Sequence, residues 1–193
     1  MCASQLNARW ADIAGSTMNV TRQLIVVAGL TLSPLLSYGS DGTTPGALEA
    51  AVQKRGANAV MADLRADHQA WSEVLAGIES GHPAWLAIGT QLRSAAGDGG
   101  RGYTLDRAFG NAITAAPSAV LEFAPHLKRS CGNLNDTYLL GEPEIAFLEV
   151  ERRLDAVRGV DDARLAGRKA ACLAALGELR ETGLPGWFDV QGP

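Results

Sequence analysis

The sequence is poor in the residues on which most recognisable active sites are built. It contains three cysteines and three histidines in 193 residues. His68, His82 and His126 are never three or four positions apart, the spacing that places two zinc ligands on one helical face. A Gly-x-Ser-x-Gly elbow, a Ser-x-x-Lys pair and a phosphate loop ending in Gly-Lys-Ser/Thr are also missing. We therefore assign no catalytic residue, no metal ligand and no cofactor from the sequence.

An excess of positive charge is missing as well. The chain has 17 Lys and Arg residues against 21 Asp and Glu residues, a formal charge of −4, which argues against nucleic acid as a partner. Hydrophobic residues make up 47% of the chain and charged residues 20%, which is typical of a globular protein and not of a disordered one. The length is sufficient for one domain with a buried core.

Long apolar runs are rare, and the clearest one predicts export. Residues 18–39 have the three parts of a secretory signal peptide: a polar start with Arg22, an apolar run of 13 residues over 24–36, and the small residue Gly39. The run is shorter than the roughly 20 residues of a membrane span. We predict cleavage ahead of Ser40 and no membrane span in the mature chain. A buried core helix is the alternative.

Residues 1–17 fit no part of a signal peptide. Trp10 and Asp12 precede the basic start, so we expect translation to begin at Met18 and residues 1–17 to be a mis-assigned leader. An ordered N-terminal segment is the alternative. The mature protein is then residues 40–193, which we interpret as a single helical domain in the periplasm or outside the cell.

Two cysteines remain in that mature chain, Cys131 and Cys172. An even number in an exported protein predicts a disulfide bond. A nucleophilic Cys131 served by His126, a metal site built from those two residues, and a pair of inert buried thiols are the alternatives. Neither chemical alternative has further motif residues to support it.

Helix signals recur after residue 40, whereas strand alternation hardly appears. Capping residues or helix-starting prolines precede apolar stripes of period 3.6 along most of the chain. We predict an all-α fold of about seven or eight short helices in antiparallel pairs, either an irregular bundle or a small solenoid, closed by one disulfide. The predicted helix starts are at Thr44, Asp67, His82, Thr104, Pro117, Pro143 and Asp161 or Asp162.

Two stretches predict interruptions in this pattern. Residues 94–102 have the composition of a loop, and the glycines of 97–102 suggest a flexible connector more than a cradle for an anion. Residues 128–142 combine turn residues with an apolar triplet, so Cys131 is expected in an irregular segment. The stripe of the last helix places Cys172 toward the core.

Several short motifs carry a resemblance. The run Gly81-His82-Pro83-Ala84-Trp85-Leu86, followed by Thr104-Leu105-Asp106, by Pro117 with Val120-Leu121 and by the two cysteines, resembles small exported helical proteins of proteobacteria that have no assigned activity. The resemblance covers 56–179 and implies a helical fold and a periplasmic or secreted location. His82 stands where that group is expected to have Asp, so no role is carried over to it.

These observations favour a non-enzymatic protein that binds another protein, as an adaptor, an inhibitor or an immunity-type protein. The alternative is a cell-envelope hydrolase whose acidic residues meet only in three dimensions, for which a cleft holding Asp98, Asp106 and His82 would be the sign. Trp187 and Phe188 follow the last predicted helix. This aromatic pair either folds back onto the body or remains available to a partner.

Overall fold

The computed structural model describes residues 43–134 and 143–182. The predicted leader and signal peptide, 1–17 and 18–39, lie outside these ranges. Within them the chain forms nine α-helices and one 3-10 helix, with no strand, which confirms the all-α prediction. The elements are α1 (Pro45–Arg55), α2 (Ala57–Ala66), α3 (His68–Glu79), α4 (Pro83–Ala96), α5 (Gly100–Asn111), α6 (Pro117–Phe123), α7 (Leu127–Gly132), α8 (Pro143–Arg158), the 3-10 helix (Ala163–Leu165) and α9 (Ala166–Thr182).

Local capping chemistry sets most helix starts where the sequence predicts them. The side chains of Thr44, Asp67, His82 and Asp162 each accept a hydrogen bond from a backbone N–H two or three residues ahead, at 3.2, 3.0, 3.3 and 2.9 Å. Each bond satisfies one of the donors that the first turn of a helix leaves unpaired. Asp161 or Asp162 was predicted to cap the last long helix; Asp162 caps the 3-10 helix Ala163–Leu165, which leads directly into α9.

The predicted apolar stripes form the core. Trp71 is 5% exposed, and the ring of Trp85 packs directly over Gly77, where a Cβ would collide with it. This close approach joins α3 to α4. On α9, Cys172 and Leu176 are fully buried, as the stripe predicts. The two tryptophans therefore serve packing rather than ligand binding.

The glycine-rich stretch contains less loop than its composition predicts. Helix α4 continues to Ala96 and α5 already begins at Gly100, so Thr104 lies inside α5 and does not cap it. Gly97 ends α4 with a φ of +67°, a conformation that favours glycine. The backbone oxygen of Gly97 lies where a Cβ at position 102 would be. Only glycine fits at this position in the first turn of α5.

The expectation of an irregular segment around Cys131 is wrong for its first part. Residues 127–132 form the short helix α7, which packs between α5 and α9. At Gly110 in α5, a Cβ would collide with the carbonyl oxygen of Ser130 in α7. The two backbones therefore meet without a side chain between them, and this contact supports a helix that is too short to be stable alone.

The predicted disulfide is present. Cys131 of α7 and Cys172 of α9 are bonded, with their Cα atoms 5.5 Å apart and a sequence separation of 41 residues. Both side chains are fully buried. The bond excludes Cys131 as a free nucleophile or metal ligand while it is intact. It covalently joins the last long helix to the short helix that packs on the N-terminal half.

Replacing both cysteines by alanine should lower the free energy of unfolding by about 2–5 kcal/mol, because the unfolded chain regains the freedom of the closed loop. Urea denaturation of oxidised wild-type and variant protein measures this difference. Non-reducing mass spectrometry of the purified protein should find one linked peptide pair. Two free thiols in that protein would contradict a structural disulfide.

Candidate functional site

A buried ion pair joins the end of α4 to α5. Arg93 and Asp106 are 2% and 1% exposed. The guanidinium donates two hydrogen bonds to the carboxylate, with Nε–Oδ1 and Nη2–Oδ2 distances of 2.8 and 3.0 Å. A third bond, 2.7 Å long, runs from Nη1 to the carbonyl oxygen of Gly97 at the end of α4. The hydrogen bond to Asp106 raises the pKa of Arg93 although burial opposes this shift, so the guanidinium is held in its charged form.

Asp98 connects this ion pair to α7. Its exposed carboxylate lies 2.7 Å from Nη1 of Arg129 and 3.5 Å from Nη2 of Arg93. The hydrogen bond from Arg129, and then that from Arg93, hold the pKa of Asp98 below its ordinary value. The loop between α4 and α5 is thereby tied to the helix that carries the disulfide.

The three residues whose convergence would indicate a hydrolase do not form a common cleft. Asp98 and Asp106 meet on one arginine at the C-terminal end of α4. His82 caps the opposite end of that helix, where its Nδ1 accepts a bond from the N–H of Ala84. Eleven residues of α-helix separate His82 from Arg93, roughly 16 Å along the axis. Each aspartate is engaged by an arginine, and His82 lies at the other end of α4.

A second buried cation, Arg153 of α8, was not singled out by the sequence analysis. Arg153 is fully buried, and its Nε lies 2.9 Å from Oε1 of Glu149. Its guanidinium also donates to the backbone oxygen of Asn133 at 2.7 Å and to the Oδ1 of Asn111 at 3.2 Å. Arg153 lies on the same face as Val150 and Val157, three and four residues away, and that spacing was the signal of burial.

Two cations at the start of α9 bind the ends of other helices. Lys169 donates to the backbone oxygens of Arg158 and Val160, at 2.7 and 2.8 Å, beside the C-terminus of α8. Arg168 donates to the carbonyl oxygens of Leu121 and Ala124 at the C-terminus of α6. Positive side chains are favourable there because the last carbonyls of a helix have no partner within it.

Arg101, the cation nearest the start of α5, faces an aromatic ring. Its guanidinium carbon lies 4.4 Å from the centre of the Trp71 ring, a cation–π contact. The sequence analysis gave an anion-binding loop at 97–102 as an alternative. Arg101 packs on Trp71, so this contact does not support that alternative. In the described ranges, no three His, Cys, Asp or Glu side chains are grouped so that they could hold a metal ion.

The apolar exposure of the described surface is concentrated on α8. Ile145 and Leu148 are 41% and 53% exposed, and Tyr103 of α5 is 46% exposed. A groove of about 510 Å³ runs between α8 and α9. A smaller groove of about 300 Å³ lies between α7 and α9. Trp187 and Phe188, the residues singled out for interaction, lie outside the described residues.

Comparisons of the chain with protein families, curated proteins and solved structures found no match. Among the helices of residues 43–134 and 143–182, none is both long enough and apolar enough to cross a membrane.

Replacing Asp106 by Asn should lower the free energy of unfolding by about 3–5 kcal/mol, because it leaves the charge of Arg93 buried without its main partner. Asp155→Asn is the matched control. It breaks the exposed pair with Arg158, whose members are 74% and 51% exposed, and should cost under about 1 kcal/mol. Urea denaturation of both variants gives the comparison. Equal losses would contradict the structural importance of the buried pair.

Proposed function

We propose that this chain is an exported, non-enzymatic protein that acts by binding another protein, as an adaptor, an inhibitor or an immunity-type protein. The observation that carries the proposal is the exposed apolar face of α8. Ile145, Leu148 and Arg152 are all exposed. Leu148 and Arg152 follow Ile145 by three and seven positions, a spacing that places the three on one face of the helix.

Such a face is typical of a recognition surface. Exposed apolar side chains that are adjacent mark interaction sites more often than isolated ones do. Arginine at the edge of an apolar patch is one of the residue types that contribute most to protein interfaces. Helical arrays present broad faces of this kind, on which a partner helix or loop can pack.

The arrangement of charged side chains supports binding over catalysis. A catalytic acid or base must have its proton or lone pair directed at a substrate. Asp106 and Glu149 instead accept hydrogen bonds from buried arginines, and Asp98 accepts them from Arg93 and Arg129. These groups already have structural partners, so the acidic residues proposed for a hydrolase would have to leave ion pairs in order to react.

Export is supported by two independent features. The segment 18–39 has the composition of a signal peptide. The buried disulfide between Cys131 and Cys172 belongs to the type that persists in oxidising compartments. Together they favour the periplasm or the extracellular space, where a disulfide-linked domain would meet its partner.

Substitution of Leu148 by Glu should abolish the capture of a specific partner when the tagged chain is recovered from the cell envelope. Loss of one central contact worth about 2 kcal/mol lowers affinity about 30-fold. Ala170→Glu, a change at another exposed position, on α9, is the matched control and should leave capture unchanged. Quantitative mass spectrometry of the co-purified proteins compares the variants, and the intact mass of the recovered chain tests cleavage ahead of Ser40.

If Leu148→Glu recovers the same proteins as the wild type, α8 does not form the interface. A chain that recovers no protein above the background, or a mature N-terminus ahead of Met18, would contradict the proposal as a whole.

A further inference from the structure

The charged side chains of α8 divide into those with a partner and two without one. The helix has seven charged residues, and five of them form ion pairs within the described ranges. The pairs are Arg153–Glu149, Asp155–Arg158 and Glu151–Arg180. Across 43–134 and 143–182, Glu144 and Arg152 have no ion-pair partner, and both are exposed. These two charges therefore remain available for contacts outside the monomer.

The two available charges lie at equal distances on either side of Leu148. Glu144 precedes Leu148 by four positions, and Arg152 follows it by four. Residues four apart lie on one face of a helix, so the three form a row along the exposed surface of α8. Eight residues of helix span about 12 Å, which is too far for the two charges to pair with each other. Ile145, which is 41% exposed, lies beside the row.

A second copy of α8 that runs in the opposite direction matches this row. When two identical helices cross antiparallel at a two-fold axis, residues equally far before and after the axis face each other. With the axis at Leu148, Glu144 of each copy faces Arg152 of the other copy. Two symmetry-related ion pairs then flank a contact between the two Leu148 side chains. Rows of residues four apart are also the ridges that most commonly interdigitate when helices pack.

We propose that the chain forms a homodimer in which α8 packs antiparallel against α8 of a second copy, about an axis at Leu148. This arrangement covers Ile145 and Leu148 of both copies, the most exposed large apolar side chains of α8. The aliphatic stem of Arg152 extends the apolar contact while its guanidinium reaches the opposite carboxylate. The charge pattern of the face is complementary to itself, and this favours a second copy as its occupant.

The dimer is expected to be weak. Two apolar side chains from each copy and two exposed ion pairs cover less than the roughly 1,200 Å² at which stable interfaces begin. Exposed ion pairs are individually weak, so they determine the register of the helices more than they add affinity. We expect a dissociation constant on the order of 100 µM.

The inference deepens the proposed function and rests on it for its consequence. The dimer covers the face to which the proposed partner binds, so the partner has to displace the second copy. Self-association would then limit how much of the chain can bind the partner at high concentration.

Sedimentation equilibrium of the purified protein between about 10 µM and about 1 mM tests the dimer. We expect the average mass to rise from that of one chain towards that of two. Glu144→Arg and Arg152→Glu each place like charges opposite one another, so either should raise the dissociation constant about tenfold. Glu49→Arg, the same charge reversal at an exposed position of α1, is the matched control and should leave the constant unchanged.

An equimolar mixture of the two single variants tests the antiparallel register. In a mixed dimer, one copy is basic at both positions and the other is acidic at both, so each charge faces its opposite. The mixture should therefore dimerise at least as tightly as the wild type, although neither variant does so alone. Circular dichroism verifies that each variant remains folded.

A wild-type chain that stays monomeric up to about 1 mM would overturn the dimer. So would a mixture that dimerises no better than its components. The measurement uses the chain alone, which separates this inference from the proposed function. A monomeric chain whose capture of a partner depends on Leu148 would assign the face to a different protein and overturn only the dimer. A dimer that recovers no envelope protein would contradict only the proposed function.

Discussion

The buried guanidinium of Arg153 is the interaction on which the assembly of the two halves depends. It lies on α8 and hydrogen-bonds to Asn111 at the end of α5 and to the backbone oxygen of Asn133 after α7. These partners are 42 and 20 residues away in sequence. One charged group thus links the N-terminal helices, the short helix α7 and the C-terminal helices. Removing the guanidinium would leave the carboxylate of Glu149 without its buried partner. The backbone oxygen of Asn133, after α7, would lose the N–H group that donates to it.

Helix α7 is held in place by three different interactions: a disulfide, an ion pair and a close backbone contact. The disulfide attaches it to α9, Arg129 attaches it to Asp98, and the backbone contact at Gly110 brings it against α5. A six-residue helix has almost no stability of its own. Its order is therefore a product of tertiary contacts, and the same contacts occupy charged groups that might otherwise have served chemistry. This use of charge supports the proposal of a binding protein, which the exposed apolar face of α8 carries.

The sequence predicted those parts of the fold that local chemistry decides. Thr44, Asp67 and His82 start helices because each side chain can accept a bond from the backbone a few residues ahead. The disulfide was predicted from the even number of cysteines in a chain expected to be exported, and the stripe of α9 placed Cys172 toward the core. Neither inference required knowledge of which helices pack together.

What the sequence did not predict depends on partners distant along the chain. Helix α7 was missed because its glycine and polar residues resemble a turn until α5 and α9 pack around it. The burial of Arg153 was missed because an arginine is usually exposed, and two of its partners, Asn111 and Asn133, lie outside α8. The start of α5 at Gly100 was missed because glycines favour loops, whereas here Gly102 allows the close approach of Arg93 and the Gly97 carbonyl. Signal cleavage remains a prediction, and Trp187 and Phe188 lie outside the described residues.

Hydrogen exchange of the α7 amides in an Arg153→Met variant tests the role of this buried cation most directly. The account predicts that residues 127–132 exchange much faster than in the wild type while α2 keeps its protection, because the loss acts locally on α7. Arg158→Met, which removes a half-exposed arginine from the same helix, should leave α7 unchanged. If α7 remains equally protected without Arg153, the disulfide and the contact at Gly110 suffice, and the central role given to the guanidinium is wrong.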